Sequence, residues 1–187
     1  MSDALLNALS RYLIHDPLEL VLQPQAAVLV LISRGDNPAV LYTKRAAHLR
    51  HHPGEVCFPG GMWEASDADL FITAQRETQE EIGLPASAIS LLGRLPRSYT
   101  RAGVPVTPFV ASFDASVPLQ PSPAELDSVF HVPLRVFSEG IQVREDTFER
   151  NGREFNFPVY HYEGYEIWGF TAAVTAELLR LLTRITS

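Results

Sequence analysis

The run "AAVLVLI" at positions 26–32 is apolar at every position. Successive side chains of a strand point to opposite faces, so a strand of this kind needs apolar cover on both sides. It reads as a buried central strand, and the rest of the chain must supply a layer above it and a layer below. It is also the longest apolar run in the sequence. A helix needs about 20 such residues to cross a bilayer, so no transmembrane segment is expected. The β-rich "AVLYTKR" follows across the turn residues "RGDNP", which predicts a hairpin or a pair of neighbouring strands.

Three segments have the spacing of covering helices. "ALLNALSRYLI" places Leu5, Leu6, Leu9, Leu13 and Ile14 on one side, predicting a helix over about 3–15 that Asp16-Pro17 ends. "SDADLFITAQRETQEEIGLP" carries signals at both ends. Ser66 or Asp67 can cap its start, Gly83 supplies a left-handed C-terminal residue, and Pro85 stops continuation. "FTAAVTAELLRLLTRI" closes the chain as a third helix. Between the last two lie the short β-rich runs "ISLLGRL", "VTPFVASF", "SVFHVPL", "FNFPVYHY" and "YEIWG", with "VPLQPSPAE" as the most loop-like stretch. No repeat, low-complexity tract or compositional break divides the chain. Residues 1–187 therefore read as one α/β domain, a mixed β-sheet with helices on its faces.

The net charge of −7 argues against bulk attraction to nucleic acid, and an anionic substrate would need a cation as intermediary. The single cysteine, Cys57, has no intramolecular disulfide partner and is most simply a small buried hydrophobe. The N-terminus lacks the basic and long apolar regions of a secretory signal, so a cytoplasmic location is expected.

The second helix poses the chemical question. At about 100° per residue, Glu77, Glu80 and Glu81 share an arc of roughly 100°, and Phe71, Ala74, Thr78 and Ile82 lie beside it on the face most suited to burial. The glutamates should then look into a cleft rather than into bulk water. Like charges three and four residues apart repel, and the C-terminal half of a helix disfavours anions. Stability alone gives no reason for the arrangement. A hard divalent cation does, because Mg²⁺ or Mn²⁺ takes oxygen ligands from one or two carboxylates together with water and substrate phosphate. Arg76, four residues before Glu80, can pair with that carboxylate. A solvated acidic helix end remains the competing reading of the helix alone.

"FPGG" at positions 58–61, Asp67 and "RETQEEIGL" together resemble the Nudix box. That family pattern runs glycine, five residues, glutamate, seven residues, then Arg-Glu-U-x-Glu-Glu-x-Gly-U, where U is aliphatic. Gly61, Arg76, Glu77, Glu80, Glu81, Gly83 and Leu84 match over a box of about 61–84. Asp67 stands where glutamate is expected, eight residues rather than seven separate it from Arg76, and Thr78 replaces an aliphatic residue. "LYTKRAAHLRHHPGEVCFPGG" is similar to the upstream signature of the coenzyme A pyrophosphatase branch, through Thr43, Arg45, Leu49, His52, Gly54, Val56 and the FPGG turn. "GVPVTPFV", "VFHVPL" and "IWGFTA" agree with that branch in order.

The resemblance implies an α/β/α sandwich and metal-dependent hydrolysis of a nucleoside diphosphate derivative. In the coenzyme A branch the products are 4'-phosphopantetheine and adenosine 3',5'-bisphosphate. Glu77 and Glu81 are then the first metal ligands for Mg²⁺ or Mn²⁺, with Glu80 and the Gly61 backbone carbonyl as further ligands, and Arg76 orients a glutamate. The base that activates water is left open among Glu64, Asp67 and Glu125.

Arg45, Lys44 and Arg50 sit in the only concentrated basic segment and are candidates for phosphate contacts, Arg45 first. His48, His51 and His52 would face one another on a helix, as a zinc site needs, but Pro53-Gly54 points to a loop. Tyr165, Trp168 and Phe170 either stack on adenine or belong to the core. The expected partner is a small molecule of the coenzyme A class, with no nucleic acid and no membrane, and a homodimer stays open. Another nucleoside diphosphate substrate, or a Nudix-fold binding protein without activity, is the alternative.

Overall fold

The structure, a computed structural model, describes residues 2–16, 24–100, 102–150 and 153–186. In chain order the elements are α1 (Ser2–Ser10), β1 (Ala26–Ser33), β2 (Ala39–Arg45), β3 (Val56–Cys57), β4 (Gly60–Met62) and α2 (Leu70–Ile82). There follow β5 (Ile89–Arg94), β6 (Ser98–Tyr99), β7 (Pro105–Phe113), β8 (Leu126–Pro133), α3 (Leu134–Glu139), β9 (Gln142–Arg150), β10 (Arg153–Tyr162), β11 (Tyr165–Ile167) and α4 (Gly169–Thr186).

The apolar run is the centre of a mixed sheet, as its composition requires. β1 pairs in parallel with β7 and antiparallel with β2 and β4. The sheet runs β3-β2-β1-β7-β5, with β8 joined to β2 and β6 to β7. Alternation along the strands divides the core in two. Val30, Ile32, Val40 and Tyr42 pack with Leu6 and Leu9 of α1 and Leu178 and Leu181 of α4. Ala27, Leu29, Leu31 and Leu41 pack with Leu70, Ala74 and Ile82 of α2. The result is an α/β/α arrangement, with β9, β10 and β11 forming a second, three-stranded sheet.

The first helix is shorter than the spacing predicts, ending at Ser10 rather than near residue 15. The Ser10 hydroxyl donates to the Leu92 carbonyl at 2.7 Å, and Ile14 exchanges both backbone hydrogen bonds with Arg94 at 2.9 and 3.0 Å. A pairing site at the sheet edge thus takes over the backbone groups that further helical turns would use. Leu13 is still buried. Pro17, expected to end the helix with Asp16, lies outside the described residues.

The cap of α2 also differs from expectation. Asp69, not Ser66 or Asp67, caps it, accepting from the Ile72 amide at 2.8 Å. At the other end Gly83 adopts φ 70° and donates to the Gln79 carbonyl, as its place before Leu84-Pro85 predicts. β9 is a strand that the sequence reading passes over: "QVREDTFER" has no apolar alternation and takes its form from pairing with β10 along its length.

Candidate active site

The turn between β3 and β4 and the C-terminal half of α2 meet at the two glycines. A Cβ on Gly60 would run into the Ala27 carbonyl and Val28 of β1, and a Cβ on Gly61 would overlap the Glu77 carboxylate. Both positions need glycine because neighbouring atoms already occupy the side-chain space. Gly60 donates its amide to Glu81 Oε2 at 3.3 Å, so the turn is tied to the helix that carries the acids.

The three helix glutamates are graded in depth. Glu81 is 3% exposed, Glu77 is half-buried and Glu80 is exposed. The shared acidic edge therefore looks into the cleft at Glu81 and Glu77, whereas Glu80 reaches solvent, contrary to the expectation that all three face inward. Loss of solvation pushes the Glu81 carboxyl up to about 8, opposed by the Gly60 amide and reinforced by the charge of Glu77. Glu77 is raised for the same first reason, against the pull of Arg76.

Arg76 is fully engaged. Its Nε and Nη2 donate to the two oxygens of Asp67 at 3.0 and 3.1 Å, a bidentate pair. Nη1 donates to Glu77 at 2.9 Å and to Glu80 at 3.3 Å, and Nη2 also donates to the Met62 carbonyl at 3.1 Å. Asp67 is buried and accepts in addition from the Glu64 amide at 3.1 Å and the Thr73 hydroxyl at 2.9 Å. The Arg76 guanidinium holds its carboxyl below the usual range. This explains why Asp67 is not the cap: its oxygens are committed to Arg76 and the loop before the helix.

Arg45 stands at the end of β2 with Nη1 4.0 Å from Glu81 Oε1. The pairing of β2 with β8 shifts register between Lys44 and Arg45, an irregularity of the type that re-aims a side chain. Lys44 is on the opposite face, with its ammonium 5.9 Å from the centre of the Tyr165 ring, and so is not gathered with the glutamates. Arg50 is exposed in the loop after β2. His48, His51 and His52 lie in that loop, not on a helix, and His52 pairs with Glu55 at 2.9 Å.

The candidate bases are placed differently. Asp67 has its oxygens occupied. Glu64 is exposed, 4.0 Å from Arg76. Glu125, on the loop before β8, is exposed and close enough for its charge to raise both Glu77 and Glu81. Its backbone carbonyl accepts from the Ala46 amide at 2.8 Å, and the same loop is hooked to the end of α2 through Ser122 N–H to the Glu81 carbonyl at 2.8 Å. Cys57 contacts Thr43 Oγ1 at 3.1 Å, and loss of solvation pushes its thiol up to about 11, which leaves it protonated and inert. Tyr165 stacks on Phe130 at 3.8 Å and Phe170 packs on the core, while Trp168 is 47% exposed.

Among the described residues no three His, Cys, Asp or Glu side chains form a ready-made metal cage. Mg²⁺ does not require one, since it retains waters and shares its ligands with substrate phosphate. The donor set nonetheless fits a hard cation. Glu81 is a buried carboxylate whose neighbours, one amide and one guanidinium at 4.0 Å, are too weak to hold its charge at neutral pH. Glu77 lies beside it, and all donors are oxygens.

Such a framework, an acidic helix laid over a diglycine turn of a mixed sheet, defines an α/β/α sandwich with a carboxylate-rich cleft. Comparison with known proteins carries this further. The NUDIX domain model matches residues 23–150. The uncharacterized Nudix hydrolase NudL of Salmonella paratyphi B is 38% identical over 156 residues, covering 83% of this chain and 81% of that protein. Among solved structures, an Ap4A hydrolase of C. elegans in a binary complex aligns over 87% of this chain and 96% of its own, with TM-score 0.55 and 16% identity. A MutT protein from Methanosarcina mazei Go1 aligns over 90% and 99%, with TM-score 0.55 and 15% identity. The chain belongs to the Nudix family. Membership supports a Nudix hydrolase acting on a nucleoside diphosphate derivative, and Nudix hydrolases generally use divalent metals such as Mg²⁺ or Mn²⁺. Among the described residues no helix is long and apolar enough to cross a membrane.

Proposed function

We propose that this protein is a divalent-metal-dependent coenzyme A diphosphatase, releasing 4'-phosphopantetheine and adenosine 3',5'-bisphosphate. The observation that carries the reading is the convergence of Glu77, Glu81 and Arg45 over Gly60-Gly61, inside the segment whose sequence resembles the coenzyme A branch. Glu77 and Glu81 would hold Mg²⁺ or Mn²⁺, with Glu80 and the Gly61 carbonyl as further ligands. When bound, the cation neutralises phosphate charge and lowers the pKa of a water.

The remaining work falls to the chain itself. Arg45 contacts a diphosphate oxygen and stabilises the charge that grows there as water adds to one phosphorus and the bridging P–O bond breaks. Arg76 is a positioning residue: held by Asp67, it fixes the direction of Glu77 and Glu80. Glu125 is favoured over Glu64 and Asp67 as the acceptor of the water's proton, because it is exposed, unencumbered by Arg76 and close to both buried glutamates. Lys44, turned to the opposite face, is set apart from the diphosphate, whereas Arg50 in the exposed loop after β2 stays a further candidate for a phosphate contact.

The test is turnover of coenzyme A, its oxidised and acyl forms, a dinucleotide and a nucleotide sugar, with and without Mg²⁺ or Mn²⁺, and with products identified. Preferred cleavage of a dinucleotide or nucleotide sugar would replace the coenzyme A assignment with another Nudix substrate. No cleavage of any of them would favour a binding protein.

A further inference from the structure

The diglycine turn sits at the end of β3, a strand of two residues paired with β2 through Thr43↔Cys57 and Lys44↔Val56. So short a strand supplies little rigidity of its own. The chain on either side of the turn is nevertheless fixed group by group. On the α2 face, Thr43 Oγ1 donates to the Cys57 carbonyl at 3.2 Å. On the α4 face, Phe58 is buried against the Tyr42 ring at 5.0 Å. The Pro59 carbonyl accepts from the Leu29 amide at 2.8 Å, and the Gly60 amide then meets Glu81.

A hydrogen bond also reaches the turn from α4. Thr171, in the first turn of α4 and 5% exposed, donates its hydroxyl to the Val56 carbonyl at 3.0 Å, a buried bond across 115 positions of sequence. One turn later Thr175 donates its hydroxyl to the Thr171 carbonyl at 2.9 Å and so accepts from the Tyr42 hydroxyl at 2.9 Å. These three groups form a polar line through an otherwise apolar core, where an unmade hydrogen bond is costly. Thr171 belongs to "IWGFTA", a segment with no atom in the carboxylate cluster.

We infer that Thr171 is a positioning residue for the active site: its hydroxyl, acting through the Val56 carbonyl, holds the Phe58–Gly61 turn at the height at which Gly60 meets Glu81 and Gly61 meets Glu77. The inference rests on the reading of that turn as the metal and diphosphate site. Loss of the hydroxyl leaves the Val56 carbonyl buried without this donor, and the turn shifts to find another. A misplacement of about 1 Å at a reacting centre is enough to lower kcat by roughly a hundredfold.

The test compares full-length Thr171→Val and Thr171→Ser with Ser10→Ala, which removes a bond of the same kind, hydroxyl to Leu92 carbonyl, at the far edge of the sheet. Amide hydrogen exchange at Gly60, kcat and KM for coenzyme A with Mg²⁺, and Tm are measured for each. Thr171→Val is expected to speed Gly60 exchange about tenfold and to lower kcat at least tenfold with KM little changed. Thr171→Ser restores both, and Ser10→Ala leaves both within about twofold even where its Tm falls as far. Unchanged Gly60 exchange in Thr171→Val, or equal effects of Thr171→Val and Ser10→Ala at equal Tm, would overturn the assignment. Turnover of coenzyme A by the unaltered protein tests the substrate reading alone, whereas the Gly60 exchange comparison tests the brace whatever the substrate is.

Discussion

Lys44 and Arg45 are neighbours in sequence, both cationic, and they end on opposite faces of the sheet. Arg45 stands 4.0 Å from Glu81 on the α2 face, and Lys44 lies against Tyr165 on the α4 face. The same strands thus serve two layers. One concentrates charge around a glycine turn, and the other has an apolar core, with Lys44 at its margin, crossed by a line of hydroxyls that reaches the back of that turn. The difference teaches that charge in the basic segment does not act as a patch; each residue acts through the face on which its strand position leaves it.

The largest expected effect is on the α2 face. Glu77→Gln and Glu81→Gln should each lower kcat with Mg²⁺ by roughly a hundredfold to a thousandfold, the range for removing a group that acts on transition-state charge. Unchanged steady-state rates in both would dissolve the metal assignment. Next comes the contrast between the two cations. Arg45→Ala should reduce kcat/KM by roughly tenfold to a hundredfold, and Lys44→Ala by no more than about twofold. Equal losses would erase the distinction between the faces.

A smaller effect separates the two buried carboxylates by pH. Burial raises Glu81 in the folded state, so its contribution favours folding while it is protonated and is lost as pH climbs from the ordinary carboxylate range through about 8. Without divalent metal, Glu81→Gln should therefore be more stable than the parent at pH 8.5, with the gap closing towards pH 5, as followed by thermal unfolding. Asp67 has the opposite sign. Its folded pKa is lowered by Arg76, so its contribution is present above the ordinary carboxylate range and is lost as pH falls through the lowered value. Asp67→Asn should lose stability at neutral pH, by about 1–3 kcal/mol, and show a flatter acid limb. A flat difference between parent and variant from pH 3 to 7 would count against this role.

Much of the fold is legible in the sequence. The unbroken apolar run foretold a central strand with two covers, and Gly83 before Pro85 foretold the end of α2. That Glu77, Glu81 and Gly61 lie together follows from spacing and resemblance, because helical periodicity and the diglycine turn are local signals. What escaped the sequence is non-local. Asp67 resembles a helix cap because nothing in its neighbourhood announces Arg76 nine positions on, with the pair closed by the first turns of α2. The first helix looked longer than it is because apolar spacing continues through Leu13, while the pairing of Ile14 with Arg94 depends on an edge eighty residues away. The sequence ranks Arg45 ahead of Lys44 but does not say which layer each one meets, since the register shift against β8 leaves no mark in β2 itself. Thr171 carried no signal of its own beyond its place in a segment similar to the coenzyme A branch.

The most direct measurement of the central claim is product analysis of coenzyme A incubated with the purified protein and Mg²⁺ or Mn²⁺, alongside Glu81→Gln and a metal-free control. The account predicts equal amounts of 4'-phosphopantetheine and adenosine 3',5'-bisphosphate, formed only with metal and only at trace rates by the variant. Intact coenzyme A after incubation with metal, or the same products at the same rate from Glu81→Gln, would contradict it.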